Sequence, residues 1–504
     1  MGGFFLEEDK MFPTFAELST YQDRYPYVPV ALSLKVNDLN ELKLVNYFDQ
    51  QNNTMYFKGG NHALGNYSYF ITQPLLSLKL LDGKLHSTDD QKSSRVLKIE
   101  PHQYLTSLLK KFRQPLFEQL PPFTGGLIGY FSYEYTKYYQ NHIEFHQKNP
   151  DQLQDFGLFC CLQVIAYDHQ HQKLVLIQDL ATANLQQEYR QAQLKLNHLK
   201  NRILKVLDQP LKLSPVKQIT PFKMRFTPAE FAQKVCSAKD HIFKGDIFQL
   251  IMSNPHFGQL RGSLLPVLQQ LTVDEPHAYH LYFKQDDFSA VAASPETLVT
   301  KDKLQLAGYP LAGTRKLSGE KLKDQKRIKE LMTSPKELAE HNMLVDLGRN
   351  DLGQVSQFGT VKVIKHAYLE KFETIVHLAS TIRSLADPQK ELLDILEAVF
   401  PAGTLSGAPK TRAIQLIDEL EHLKRGLYGG TFGFLSFSGQ MDLAIGIRLL
   451  HKTKQAACIQ TGAGIVADSV ATNEYQECLN KARSVKRAVQ EVLKRENQHG
   501  TLVR

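Results

Sequence analysis

The chain has 504 residues, 42% of them hydrophobic and 22% charged, with a formal net charge of +8. This is the composition of a soluble globular chain with ample core, long enough for roughly two to four domains. The charge is modest and not gathered into one basic block, which argues against nucleic-acid binding, and no apolar run is long enough to span a bilayer.

In chain order, residues 1–8 are acidic and lack a signal-peptide layout. Five cysteines, Cys160, Cys161, Cys236, Cys458 and Cys478, show no metal spacing. Both features make the cytoplasm the expected location. Residues 1–80 read as strand-rich, with a strand at 66–71, and small residues at 123–131 mark a close backbone approach leading into another. Apolar runs at 158–167 and 174–177 predict a buried hairpin across the polar stretch 168–173. Leu185, Tyr189, Ala192, Leu196, Leu199, Ile203 and Val206 then recur at alternating four- and three-residue spacing, the stripe of a long helix packed on its own domain. Pro210, Pro215 and Pro221 punctuate a linker, giving domains 1–215 and 222–495.

The second half opens on a capping box, Thr227-Pro228-Ala229-Glu230, with Gly245 ending its helix. Residues 247–253 read as a strand with Gln249 facing opposite to Phe248 and Leu250. Ser334, Pro335 and Glu337 suit the N-cap, first turn and capping-box position of a helix that ends in a polar loop near Asp351. Glu337, Glu340 and His341 share one face of it. Residues 403–410 read as a glycine-bearing loop opening a helix at Pro409, and 462–466 as a second glycine loop. A last helix starts near Glu474, with Leu479, Ala482, Val485, Val489 and Val492 inward.

Two carboxylates on one helix face suit a hard cation such as Mg²⁺. Glu-x-x-Glu is equally common on solvated helices, and Glu474 and Glu477 suit a helix N-terminus on electrostatic grounds alone. Arg448, in an otherwise apolar strand at 444–448, needs an anion, which a ligand carboxylate or an internal ion pair would supply. His377 is flanked by apolar residues, as core histidines are. Neither glycine loop carries a phosphate-binding signature, and no cysteine sits in the elbow of a glutamine-hydrolysing site.

Several stretches, in their order and spacing, resemble the chorismate-utilising enzymes: GDIFQ at 245–249, SPE at 294–296, PLAGTR at 310–315, KELAEHNMLVDLGRNDLG at 336–353, GTLSGAPKTRA at 403–413, GAGIVADS at 462–469 and EYQE at 474–477. The first half matches through NYSYF at 66–70 and PFTGGLIGYFSYE at 122–134. Within that family the chain resembles the synthase subunits of anthranilate synthase. Relatives that add water carry a Lys base where this chain has Gln249, and ammonia needs no such base. Aminodeoxychorismate synthases, the alternative reading, carry a nucleophilic Lys where this chain has Ala312. Ser406 also matches the anthranilate synthase form.

The resemblance implies an α+β fold, a large antiparallel β-sandwich with helices outside and two interleaved domains. It implies that Glu337, Glu340, Glu474 and Glu477 surround Mg²⁺ and that Glu296 is the general acid. Arg448, Tyr428 and the backbone of Gly462, Ala463 and Gly464 would hold the pyruvyl carboxylate. Gly313, Thr314, Thr404 and His377 would line the ring, with His377 a helper in pyruvate loss and Gln249 at the nucleophile's position. The implied reaction is chorismate plus ammonia to anthranilate and pyruvate, the first step of tryptophan biosynthesis. A glutamine amidotransferase partner would supply the ammonia.

Tryptophan-inhibited members carry Leu-Leu-Glu-Ser before an Arg-Tyr-Ser-Phe segment. Here residues 53–61 hold neither Glu nor Ser, and the distal wall reads Glu275-Pro276-His277-Ala278-Tyr279. Weak or absent tryptophan inhibition is therefore expected.

Overall fold

The apolar run at 158–167 is two strands rather than one. In the computed structural model, Phe156–Cys161 lies in one large sheet and Gln163–Asp168 in another, and the chain changes sheet at Leu162. The structure describes residues 10–50, 53–60, 62, 64–140, 142–371 and 375–501; residues 1–8 and Asn61 lie outside them.

Among the described residues there are two twelve-stranded sheets and one three-stranded sheet, and their paired strands run antiparallel. Every second side chain of the large sheets faces the partner sheet. Phe57 and Tyr69 from one meet Phe432 and Phe434 from the other, with Phe57 6.0 Å from Phe434 and 6.2 Å from Phe432 between ring centroids. Helices cover the outer faces. The predicted long helix is Leu185–Leu207, with Leu185, Ala192, Leu196, Leu199, Ile203 and Val206 buried. This is the α+β sandwich with external helices that the family resemblance implied.

The chain boundary near 215–222 is not a boundary in either large sheet. Strand Thr54–Lys58 pairs with Tyr279–Gln285, and Gly126–Phe131 pairs with Thr431–Ser436. Gly126 permits the second approach, because a Cβ there would lie 2.2 Å from the Leu435 carbonyl oxygen. Glu134, just beyond this strand, accepts the backbone N–H of Arg425 at 2.6 Å and of Gly426 at 3.1 Å. A first-half carboxyl thus caps a second-half turn.

Four local expectations change. The helix opened by Ser334 runs Pro335–Gly353, so its polar tail is helical, and a helix at Lys321–Thr333 precedes it. Only half of its capping box forms: Ser334 accepts the Glu337 N–H, while the Glu337 carboxylate turns to Arg315. Residues 462–465 form a strand, not a loop. In the last helical region Cys478 is the buried neighbour and Leu479 is half-buried. Among the described residues no helix is long and apolar enough to cross a membrane.

Candidate active site

Glu296 sits where strand Phe288–Ser294 hands over to strand Thr297–Asp302. Its peptide is fixed at both ends. Its N–H donates to Ser294 Oγ at 3.3 Å, and its carbonyl accepts the Ile445 N–H at 2.9 Å. The carboxyl then meets the short turn Gly403–Leu405, where Thr404 Oγ1 donates to Glu296 Oε1 at 3.0 Å. Burial pushes the carboxyl up to about 7; the Thr404 hydrogen bond and the charges of Lys481 and Arg448 oppose this and lose. A carboxyl near 7 holds a proton at neutral pH and can give it up. A cleft of about 540 Å³ runs from Glu296 and Thr404 between Leu344, Leu347 and Val399.

Arg448 does not lie within a strand. It turns the corner between Met441–Ile445 and Leu449–Lys452 at φ +48°, a left-handed conformation costly for a side chain. Its carbonyl is tied to the Ala293 N–H at 3.1 Å. Its guanidinium pairs with Glu275, Nη1 to Oε1 at 3.0 Å. His377 is buried on strand Ile375–Leu385, opposite Thr314. Burial first, then the charge of Arg448, lowers its imidazole to about 4, against a hydrogen bond to the Gly313 backbone, so the ring is neutral at pH 7. Gly313 is at φ +54°, and a Cβ there would stand 2.6 Å from Glu337 Oε2. The side chain of Thr314 lies outside the described residues.

The small sheet adjoins the turn that carries Thr404, the Ile251 N–H donating to the Ser406 carbonyl at 3.0 Å. Gln249–Ser253 runs between Gly407–Ala408 and Gly462–Ile465. Phe248 points out, 71% exposed, while Gln249 and Leu250 are buried. A Cβ on Gly464 would be 2.8 Å from Gln249 Nε2, and one on Gly462 would be 2.7 Å from the Tyr428 hydroxyl. The glycines therefore admit Gln249 and Tyr428 against this strand's backbone. Ala463 faces the opposite way, into an apolar cluster with Phe231 and Ile414, and offers the site only its backbone. Among the described residues Gln249 Oε1 is buried with no hydrogen-bond partner. An unmet buried acceptor costs about 1–3 kcal/mol, which a ligand N–H would relieve.

Arg425, absent from the sequence reading, joins the small sheet to the turn that carries Thr404. Fully buried, it donates to the Leu405 carbonyl at 2.7 Å, the Ile251 carbonyl at 2.8 Å and the Glu421 carboxylate at 2.5 and 2.8 Å. It also lies over the Tyr133 ring at 4.6 Å. Glu421 ends helix Lys410–Glu421 and Arg425 lies beyond its left-handed cap His422, so no helical spacing marked this pair in the sequence.

The four glutamates gather from helices Pro335–Gly353 and Ala471–Lys481. Glu340 is raised first by burial, then by the charges of Glu337 and Glu477; Glu474 is raised by burial and by Glu477. The carboxylates therefore repel one another across the helix pair. Cations of the chain sit on them: Arg315 bonds Glu337 at 3.0 Å, and Lys481 bonds Glu477 at 2.8 Å and the Gly462 carbonyl at 3.0 Å. Among the described residues, no three acidic, His or Cys side chains are close enough together to hold a metal ion. The donors are all carboxylates and mutually repelling, so their chemistry fits a hard divalent cation.

A proton-holding carboxyl, a partly exposed arginine and an acidic cluster are the ingredients of an acid–base site. Residues 67–487 match the profile described as chorismate binding enzyme. The chain is 33% identical over 493 residues to anthranilate synthase component 1 of Acetivibrio thermocellus, covering 95% of this chain and 99% of that one. It is 36% identical to the protein of the same name from Neisseria gonorrhoeae, covering 86% and 88%. The crystal structure of anthranilate synthase component I from Streptococcus pneumoniae superposes with TM-score 0.73 at 33% identity, covering 84% and 93%. The menaquinone-specific isochorismate synthase of Escherichia coli shares the fold, with TM-score 0.68 at 17% identity, covering 95% and 98%. This chain belongs to the chorismate binding enzyme family, and the two relatives named above carry the name anthranilate synthase component 1.

Proposed function

We propose that the chain is the synthase subunit of an anthranilate synthase, making anthranilate and pyruvate from chorismate and ammonia. The observation that carries this is the Glu296 carboxyl, held protonated near neutral pH beside Thr404 and within reach of the Arg448 charge. Glu296 gives its proton to the departing C4 hydroxyl, which leaves as water while ammonia bonds to C2. Gln249 Oε1, the unmet acceptor, receives an N–H of the incoming ammonia. The ammonium formed at C2 returns a proton to the ionised Glu296; loss of the C2 proton together with departure of the enolpyruvyl group from C3 then makes the ring aromatic, and the released enolpyruvate takes up a proton as pyruvate. Neutral His377 lies near enough to Arg448 to serve that last transfer. Arg448 and the Tyr428 hydroxyl, with the backbone of 462–464, take the pyruvyl carboxylate. Mg²⁺, held by Glu337, Glu340, Glu474 and Glu477, would supply positive charge to the ring carboxylate.

A glutamine amidotransferase subunit supplies the ammonia in this reading, and all five cysteines being free suits a reducing compartment, the cytoplasm. The test is direct. The purified chain, given chorismate, ammonium and Mg²⁺, should release anthranilate, identified by fluorescence and mass. A 4-amino product would instead favour aminodeoxychorismate synthase, a reading that the buried Ala312 opposes, since it has no amine to form an adduct. Glutamine should support turnover only when a second subunit is added.

A further inference from the structure

The guanidinium that the reaction needs is already occupied. Glu275 closes helix Leu265–Asp274, and its backbone is fixed on both sides: its N–H donates to the Leu271 carbonyl at 2.9 Å, and its carbonyl accepts the Ala278 N–H at 3.1 Å across Pro276. That turn leads into Tyr279, whose hydroxyl bonds Thr297 and Asp442, both at 2.9 Å, on the strands that flank Glu296. The carboxylate of Glu275 is therefore carried by a rigid element, not by a loose chain end. It meets Arg448 Nη1 at 3.0 Å, with each side chain 26% exposed. Among the described residues no other side chain hydrogen-bonds Arg448. Arg448 is itself fixed, by its corner and the Ala293 bond, so the pair is built from both ends.

An arginine beside a carboxylate presents little net charge to an approaching anion. We propose that Glu275 is a resting counter-ion of Arg448 that substrate binding must displace or share, so that it sets the affinity for the anionic substrate below what Arg448 alone would give. This rests on the reading above that Arg448 takes a substrate carboxylate. Glu275 is on no motif that carries the reaction, and its effect is on affinity: it acts before chemistry, by lowering the positive potential at the guanidinium. Glu296 and His377 also feel the charge of Arg448.

The experiment compares wild type, Glu275→Gln, Arg448→Gln and the double variant in ammonium-dependent turnover of chorismate. Glu275→Gln keeps size and turn but removes the charge. Its KM for chorismate should fall about three- to tenfold, the scale of one partly solvated charge pair, with kcat changing by less than about twofold. Arg448→Gln should raise KM by roughly tenfold or more. In the Arg448→Gln background the Glu275→Gln gain should vanish. Glu275→Ala, checked for an unchanged melting temperature, should lower KM as well. If Glu275→Gln raises KM or leaves it unmoved while Arg448→Gln raises it, Glu275 aims or ignores the guanidinium and the proposal is overturned. If Arg448→Gln leaves KM unmoved, the carboxylate reading falls first and takes the pairing with it.

Discussion

The acid corner and the carboxylate cluster are built on opposite plans. Around Glu296 every element is tied: Ser294 and Ile445 hold its peptide, Thr404 its carboxyl, and buried Arg425 holds the turn that carries Thr404. Around Glu337, Glu340, Glu474 and Glu477 like charges face one another across two helices, relieved by Arg315 and Lys481 from outside. The first region is complete in the protein alone. The second keeps mutually repelling carboxylates that the chain's own cations offset only from outside. In the proposed reading, the fold pre-organises Glu296 as a proton donor, and a cation would supply the positive charge that the ring carboxylate meets.

The largest effect should follow from breaking the tied region. Glu296→Gln keeps the Thr404 hydrogen bond but has no proton to give, so kcat should fall about a hundred- to ten-thousandfold. In wild type, turnover should decline as pH rises through about 7, when the donor is lost. Thr404→Val removes a bond that favours the ionised form, so that decline should move to higher pH. A pH profile unchanged in Thr404→Val would break the claim that these two residues act as one unit.

The cluster should respond to charge rather than to hydrogen bonding. Glu337→Gln and Glu477→Gln should each reduce turnover by roughly tenfold or more and demand more Mg²⁺. A melting curve gives a readout free of activity: Mg²⁺ should raise the melting temperature of wild type, and much less that of Glu477→Gln. Equal Mg²⁺ stabilisation in both would return Glu477 to the status of a helix-end acid paired with Lys481.

These two regions were not equally legible in the sequence. The glutamate pairs stood out because helical spacing puts i and i+3 on one face, and the structure keeps them there. The buried stripe of Leu185–Leu207 and the capping box at Thr227 were legible for the same reason, since local spacing decides them. The acid corner depends on contacts 108 residues apart, Glu296 with Thr404, which no local pattern encodes. Glu296 was reached only through resemblance. Arg425 was not singled out, and Glu275 was met only on the distal wall of the inhibitor site and not as a partner of Arg448, because the sheets place those partners. The strand at Gly462–Ile465 read as a loop because glycines mark both; the close approach of Tyr428 and Gln249 is what requires them here.

A smaller effect tests the tied corner through stability. The folded value of about 7 lies above the ordinary 4.5, so ionising Glu296 weakens the fold. Nothing is lost below about pH 4.5, and the whole cost is present above 7. Glu296→Gln never ionises. It should match wild type at low pH and exceed it above pH 7 by on the order of 1–2 kcal/mol, a figure reduced for the group's partial contact with water. Urea midpoints at pH 4 and pH 8 decide this. An equal offset at both would mean that the carboxyl is not held protonated.

The smallest expected effect is an absence of response, on the side of the acid corner where the two halves meet. An inhibitory tryptophan would need a partner for its ammonium. The loop before strand Tyr67–Ile71 offers Lys58 and Gly59, and a Cβ on Gly60 would stand 2.4 Å from the Tyr279 ring, so this loop is already packed on Tyr279. Tyr279 is in turn bonded to His62, Thr297 and Asp442. The one acid of the distal wall, Glu275, is spent on Arg448. A desolvated ammonium without a charged acceptor forfeits about 1.5–3 kcal/mol, roughly one to two decades of affinity. Tryptophan titrated into the ammonia-dependent reaction should therefore inhibit weakly or not at all. Half-inhibition at low micromolar tryptophan would mean that Glu275 leaves Arg448 for the inhibitor. In that case Glu275→Gln should abolish the inhibition, so one variant tests both partners of the pair.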